Sequence, residues 1–243
     1  MLKKDLVHFL NETLADESPE HILAFLLKEF GDKIGFSTSL GAEDQVITAM
    51  LSAIDRSAYL FTLDTGRMFP ETYDVLHRTT NRYGMSIKVY YPEAGRVEEM
   101  VNSKGINLFY ESVENRLTCC NTRKIEPLRR ALQGLDAWIT GLRRQQSVTR
   151  KDMKLAEWDD SHGLIKINPL IDWTDTMVWD YIRENNVPYN KLHDDGFPSI
   201  GCQPCTRAIE PGESIRSGRW WWEEPQNKEC GLHSKSAPND TSR

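Results

Sequence analysis

Nowhere does this sequence stay apolar for the roughly 20 residues that a membrane-spanning helix requires. Positive charge is not in excess either: 30 Lys and Arg stand against 36 Asp and Glu, a formal net charge of -6. No overall positive field therefore draws the chain to nucleic acid or to an anionic membrane, and local basic clusters need local reasons. The opening MLKKDLVHFLNETLADE turns acidic and has neither a long apolar core nor a small-residue cleavage site, so a cytoplasmic location is expected. Neither G-x-G-x-x-G nor the Walker pattern occurs. Cysteine is scarce and odd in number, with five residues. Without an export signal that argues against a disulfide framework and points to metal binding or thiol chemistry. Internal repeats are missing, and low complexity is confined to SKSAPNDTSR.

What is present, 243 residues of which 39% are apolar and 27% charged, suffices for one main α/β domain. From Ile34 short apolar runs alternate with amphipathic stretches: IGFSTSL, AEDQVITAMLSAI, AYLFTLDT, FPETYDVLHRTTNRYG, SIKVYYP. This reads as strand, helix, strand, helix, strand, and predicts a mostly parallel, twisted sheet with helices on both faces. Such sheets bind ligands beyond the carboxyl ends of their strands. TRKIEPLRRALQ reads as a charged helix in which Pro127 introduces a kink or a restart, and DAWITGL as a further strand. Residues 1–225 are assigned to one α/β domain and 226–243 to a mobile C-terminal tail.

Cys202 and Cys205 form a C-x-x-C turn, and the adjacent pair Cys119 and Cys120 precedes a basic helix. Neighbouring side chains diverge by only about 100° on a helix, so both of the adjacent thiols can reach one centre from a helical or turn backbone. Four thiolates suit a structural zinc ion or a [4Fe-4S] cluster, and ligand count does not separate them. A redox disulfide or buried hydrophobic cysteines explain four grouped thiols poorly.

Cys230, in KECGLH, is the thiol left over. Lys228 and His233 nearby favour the thiolate, which is the nucleophile; a functionless tail cysteine is the alternative. If the other four cysteines hold a metal, any adduct on Cys230 must be released by an external thiol.

The first strand ends in Ser37-Thr38-Ser39-Leu40-Gly41-Ala42-Glu43-Asp44 and runs into a helix. Such a turn is expected to expose backbone N–H groups to an anion, unless Ser39 is simply a helix N-cap. The second strand ends in Leu63-Asp64-Thr65-Gly66-Arg67. Basic residues gather at Arg123 and Lys124, at Arg143 and Arg144, and at Arg216 and Arg219, each beside a suspected site. Trp220, Trp221 and Trp222 carry no chemical assignment, core or interface anchoring being the commoner role.

The motifs FSTSLGAEDQVI, LDTGRMFPETY, TCCNTRKIEPLRRAL, WITGLRRQQSVTR, GCQPCTR, GRWWWEE and KECGLH run from about Phe36 to His233. Together they resemble assimilatory adenylyl-sulfate reductases of the wider phosphoadenylyl-sulfate reductase family. The resemblance implies an adenine nucleotide alpha hydrolase-like (PP-loop) fold. It implies one [4Fe-4S] cluster per chain on Cys119, Cys120, Cys202 and Cys205, and Cys230 as nucleophile on adenosine 5′-phosphosulfate (APS). The branch acting on the 3′-phosphorylated substrate typically lacks both cysteine pairs, so their presence points to APS. By the same resemblance Ser37, Ser39, Asp64 and Gly141 lie in stretches lining the adenosine pocket. Lys124, Arg143, Arg144, Arg216, Arg219 and His233 lie where the phosphosulfate binds. Thioredoxin, or a glutaredoxin-like dithiol, is the implied reductant, and symmetric assembly into a homo-oligomer is a general expectation. The rivals are a reductase tolerating the 3′-phosphate, an ATP-consuming enzyme of the same fold, whose S-G-G-x-D-S loop is absent, and a zinc-stabilised sensor.

Overall fold

The computed structural model describes residues 3–147 and 150–224. Two helices, α1 (Lys3–Thr13) and α2 (Pro19–Phe30), precede the first strand. Ser18 caps α2 by accepting a bond from the His21 amide, and Pro19, whose missing N–H costs nothing in a first turn, opens it. Then follow β1 (Ile34–Ser37), α3 (Ala42–Ile54), β2 (Leu60–Leu63), α4 (Pro70–Tyr83) and β3 (Ile87–Tyr90). This is the strand–helix alternation expected from the apolar runs. Helices α5 (Ala94–Lys104), α6 (Val113–Cys120) and α7 (Glu126–Leu132) lead to β4 (Ala137–Ile139), and β5 (Ala156–Asp159), β6 (Leu164–Ile167) and α8 (Asp175–Glu184) follow.

The six strands lie in the order β3-β2-β1-β4-β6-β5, all parallel except β5, which pairs antiparallel with β6 at the edge. Alternation along the strands sends successive side chains to opposite faces. Phe36, Leu60, Ala137, Ile139 and Ile165 join one core with α1, α2, α3 and α8, while Phe61, Trp138 and Leu164 pack on Leu128, Ala131 and Leu132 of α7. The sheet is thus covered on both sides. A third, smaller core of Met100, Leu108, Phe109, Cys205 and Trp220 forms away from it. Among the described residues no helix is long and apolar enough to cross a membrane.

Pro127 restarts a helix rather than bending one. α6 ends at Cys120, a single π-helical turn spans Asn121–Ile125, and Pro127 falls in the first turn of α7. The wider turn leaves room for a residue that cannot donate to the preceding helix.

Candidate functional site

The carboxyl ends of β1, β2 and β4 open onto a cavity of about 240 Å³, where an open α/β sheet is expected to take its ligand. Ser37, Thr62 and Trp138 line its sheet side, and the Trp138 indole N–H donates to Ser37 Oγ at 2.7 Å.

The β1–α3 turn lies along this cavity, and the amides of Ser39, Leu40 and Gly41 are engaged within it. The Ser39 amide and hydroxyl both donate to Asp44 Oδ2 at 2.6 Å, the Leu40 amide donates to Thr38 Oγ1 at 3.0 Å, and the Gly41 amide donates to Ser39 Oγ at 3.4 Å. Ser39 is not the N-cap of α3; Gly41 is. Before the helix, the turn thus holds the chain's own Asp44 carboxyl group on Ser39, while the first-turn amides of Ala42, Glu43 and Asp44 precede the first helical bond, from Gln45 to the Gly41 carbonyl. Burial pushes Asp44 up from 3.8 to about 6, opposed by the bonds from Ser39 and Gly141. Gly141, just past β4, approaches so closely that a Cβ there would overlap Asp44 Oδ1.

Arg143 lines the cavity with 2% of its side chain exposed, and its guanidinium is largely committed within the protein. It donates to Glu43 Oε1 at 2.6 and 2.9 Å, to Asp175 Oδ1 at 3.2 Å and to the Trp173 carbonyl at 3.1 Å. Arg144 does not line the cavity: it donates to the Met153 carbonyl and pairs with Asp172. Asp64 also lies outside it, accepting bonds from the Gly66 amide at 2.8 Å and the Tyr73 hydroxyl at 3.1 Å. Ser37, Ser39, Lys124, Gly141, Arg216 and Arg219 line the cavity with Arg143. Cys230 and His233 fall outside the described residues.

A second, smaller hollow of about 20 Å³ brings together all four paired cysteines, Cys119, Cys120, Cys202 and Cys205. The adjacent pair ends α6 just before the π turn, and the C-x-x-C pair brackets a short helical turn at Gln203–Cys205. The polar turn after β2 reaches the same place. Thr65 Oγ1 lies 3.3 Å from Cys202 Sγ, and Arg123 donates to the Thr65 carbonyl at 2.6 Å. Burial, then the neighbouring Cys202, pushes the Cys205 thiol up to about 12; burial raises Cys119 as well. Arg67, Arg116, Arg123, Lys124 and Arg219 line the hollow. Among the described residues no three His, Cys, Asp or Glu side chains are grouped to hold a metal ion. The donor chemistry, four thiols ringed by cations that compensate thiolate charge, fits a sulfur-ligated centre.

Lys124 and Arg219 are common to both hollows. Arg219 is buried and lies so near Gly201 that a Cβ there would overlap its guanidinium. Its guanidinium stacks 4.7 Å from the centre of the buried Trp220 ring, and that of Arg116 stacks 4.8 Å from it. Trp220 is therefore the plate between an arginine of the cavity and an arginine of the cysteine-bearing helix. Trp222 packs on Phe109 and Tyr110, while Trp221 is 39% exposed.

Glu43, Asp44, Thr62, Trp138, Asp175 and His193 line the cavity without having been singled out by sequence. Glu43 and Asp44 stand inside the quoted turn motif, where the acidic pair right after Gly41-Ala42 was the available signal. Asp175 and His193 belong to segments with no motif of their own.

Comparison with known proteins agrees with this geometry. Residues 33–208 match the family model of the phosphoadenosine phosphosulfate reductase domain. A protein of Allochromatium vinosum named adenosine 5′-phosphosulfate reductase is 51% identical over 87% of this chain and 83% of its own length. One of the same name from Agrobacterium fabrum is 47% identical over 94% of this chain and 87% of its own. Among solved structures, phosphoadenylyl-sulfate reductase from Candida auris aligns with TM-score 0.74 and 32% identity, covering 86% of this chain and 98% of that one. FMN adenylyltransferase of Candida glabrata, at TM-score 0.54 and 15% identity, covering 97% of this chain and 77% of that one, shares the fold alone. Sheet order, cavity and sequence relatives lead to one assignment: the chain belongs to the phosphoadenosine phosphosulfate reductase family.

Proposed function

We propose that this protein reduces adenosine 5′-phosphosulfate to sulfite and AMP in sulfate assimilation. The observation that carries the reading is the shared wall: Lys124 and Arg219 border both the nucleotide-sized cavity and the cysteine hollow. The relatives named for APS reduction support the same substrate.

In this reading the adenosine lies against Ser37, Ser39 and Gly141, and Lys124, Arg216 and Arg219 face the phosphosulfate. Arg143, which the resemblance carries to the phosphosulfate, has its guanidinium bonded to Glu43, Asp175 and the Trp173 carbonyl. Arg144 and Asp64 are carried as phosphosulfate and adenosine residues by the resemblance, without a place in the cavity wall; His233, carried to the phosphosulfate in the same way, lies outside the described residues. The Cys230 thiolate attacks the sulfate sulfur, the bond from sulfur to the phosphate oxygen breaks, and AMP leaves with the electron pair. Cationic donors aimed at that oxygen lower the barrier, each by a few kcal/mol. Cys230 is left as an S-sulfocysteine. A dithiol protein such as thioredoxin, or a glutaredoxin-like one, attacks the Cys230 sulfur, sulfite departs, and the second thiol closes a disulfide, which supplies both electrons.

Cys119, Cys120, Cys202 and Cys205 would hold one [4Fe-4S] cluster. When bound, it supplies a fixed charge beside the shared wall that orders the site and tunes its electrostatics. A cytoplasmic location and a homo-oligomeric state belong to the same proposal.

The test is to incubate anaerobically purified protein with APS radiolabelled in the sulfate, without reductant. Label retained on wild type, missing on Cys230→Ser and released as sulfite by thioredoxin supports the reading. An unlabelled wild type with its metal intact overturns it.

A further inference from the structure

Three cavity-lining groups have buried polar atoms with no hydrogen-bond partner: Thr62 Oγ1, Arg219 Nε, and both ring nitrogens of His193. Buried polar atoms are rarely left without a bond, and a ligand is one of the few things that completes them. The His193 ring is the most demanding of the three because it offers two such atoms. His193 ends a short helical turn, Lys191–His193, that Asn190 caps by accepting from the Leu192 amide at 3.1 Å. Its ring stands edge-on to Trp179, 5.2 Å between centroids, so packing fixes its direction. Burial holds it below the usual histidine range, against the upward pull of Glu43, the Phe197 backbone, Asp194 and Asp175. Phe197 is near enough to be felt, yet neither nitrogen makes a bond of ordinary geometry.

A neutral imidazole both donates and accepts. The carboxylates near it decide which part of a nucleotide it meets. Glu43 and Asp175, on either side of Arg143, together with Asp194 disfavour a phosphate at this wall, whereas Lys124, Arg216 and Arg219 offer cations on another. A hydroxyl is neutral and takes either role. Resting on the nucleotide reading above, we propose that His193 hydrogen-bonds a ribose hydroxyl of the bound nucleotide and so helps to fix the sugar.

The probe is AMP, with 2′-deoxy-AMP and 3′-deoxy-AMP as its hydroxyl-deleted forms, and the readout is Kd by calorimetry on full-length wild type, His193→Leu and His193→Asn. One of the deoxy nucleotides is expected to bind wild type about 5- to 20-fold more weakly than AMP, the range of one hydrogen bond with its partner left unsatisfied. In His193→Leu that difference disappears, because AMP falls to the level of the deoxy form. His193→Asn, which keeps a donor and an acceptor, recovers part of it. If AMP binds wild type but both deoxy discriminations persist unchanged in His193→Leu, this assignment is overturned while the nucleotide reading stands. If AMP does not bind wild type at all, the nucleotide reading fails. Thermal unfolding of the three proteins separates misfolding from lost contact; if His193→Leu is destabilised, His193→Asn decides, a reduced discrimination supporting the assignment and an unchanged one overturning it.

Discussion

Arg116 and Glu223 meet as a two-bond fork, Nε to Oε1 at 3.0 Å and Nη2 to Oε2 at 2.8 Å, with side chains only 1% and 3% exposed. They lie 107 residues apart in sequence and join the cysteine-bearing helix to the last described turn. Removing one partner strands the other charge out of water, which costs about 3–5 kcal/mol, whereas replacing both by apolar groups is far less damaging.

Glu223→Leu and Arg116→Met are each expected to lose stability of that order in denaturant unfolding. The double variant should regain much of it. The single variants should also weaken nucleotide binding, because Arg116 supports the Trp220 ring on which Arg219 lies. Equal losses in single and double variants would show that the pair is not the unit that matters.

Asp44 makes stability depend on pH. Its folded value, about 6, stands above the 3.8 of an unburied Asp. Such a group favours the fold fully below the unfolded value, loses that contribution as pH rises from about 4 to 6, and adds nothing further above. The shift corresponds to on the order of 3 kcal/mol. Asp44→Asn should therefore flatten the stability profile between about pH 4 and pH 6, measured by urea unfolding. An unchanged slope in that interval would assign the pH dependence elsewhere.

The cysteine hollow predicts separable variants. Cys119→Ser and Cys205→Ser remove a thiol from the four that line it, and purified protein should lose iron content and visible absorption. Cys230→Ser should keep both while losing label from APS. Zinc in place of iron in the anaerobic wild type would favour a structural metal instead.

Much of the fold was legible because β1, β2, β3 and β4 are short apolar runs set between amphipathic helices, a pattern that local sequence carries. The antiparallel β5 was not, because Glu157, Trp158 and Asp159 are half-buried edge residues whose pairing with β6 is decided by the sheet they join. The spacing of the two cysteine pairs suggested that they meet, as they do in lining one hollow, and the π turn that follows the first pair was hinted at only by Pro127. The composition of the turn after β1 gave no sign that Asp44, five residues beyond Ser39, folds back to accept from the Ser39 amide and hydroxyl. His193 left no trace in the sequence: its place in the cavity depends on packing against Trp179, in a helix that follows the sheet.

Gly201 allows a last test of the shared wall. Any Cβ there would overlap the Arg219 guanidinium, which is buried and stacked on Trp220. Its bonds to Ser199 Oγ and the Ile200 carbonyl are long, both 3.4 Å, so they resist displacement weakly compared with the steric clash. Gly201→Ala should then cost little stability, about 1–2 kcal/mol for local overpacking, but should raise KM for APS roughly tenfold by moving a cation off the anionic end of the substrate. Arg219→Lys keeps the charge yet loses the planar stack, and should fall between wild type and Arg219→Ala. A Gly201→Ala enzyme with wild-type KM and a large fall in stability would mean that Arg219 serves the fold rather than the substrate.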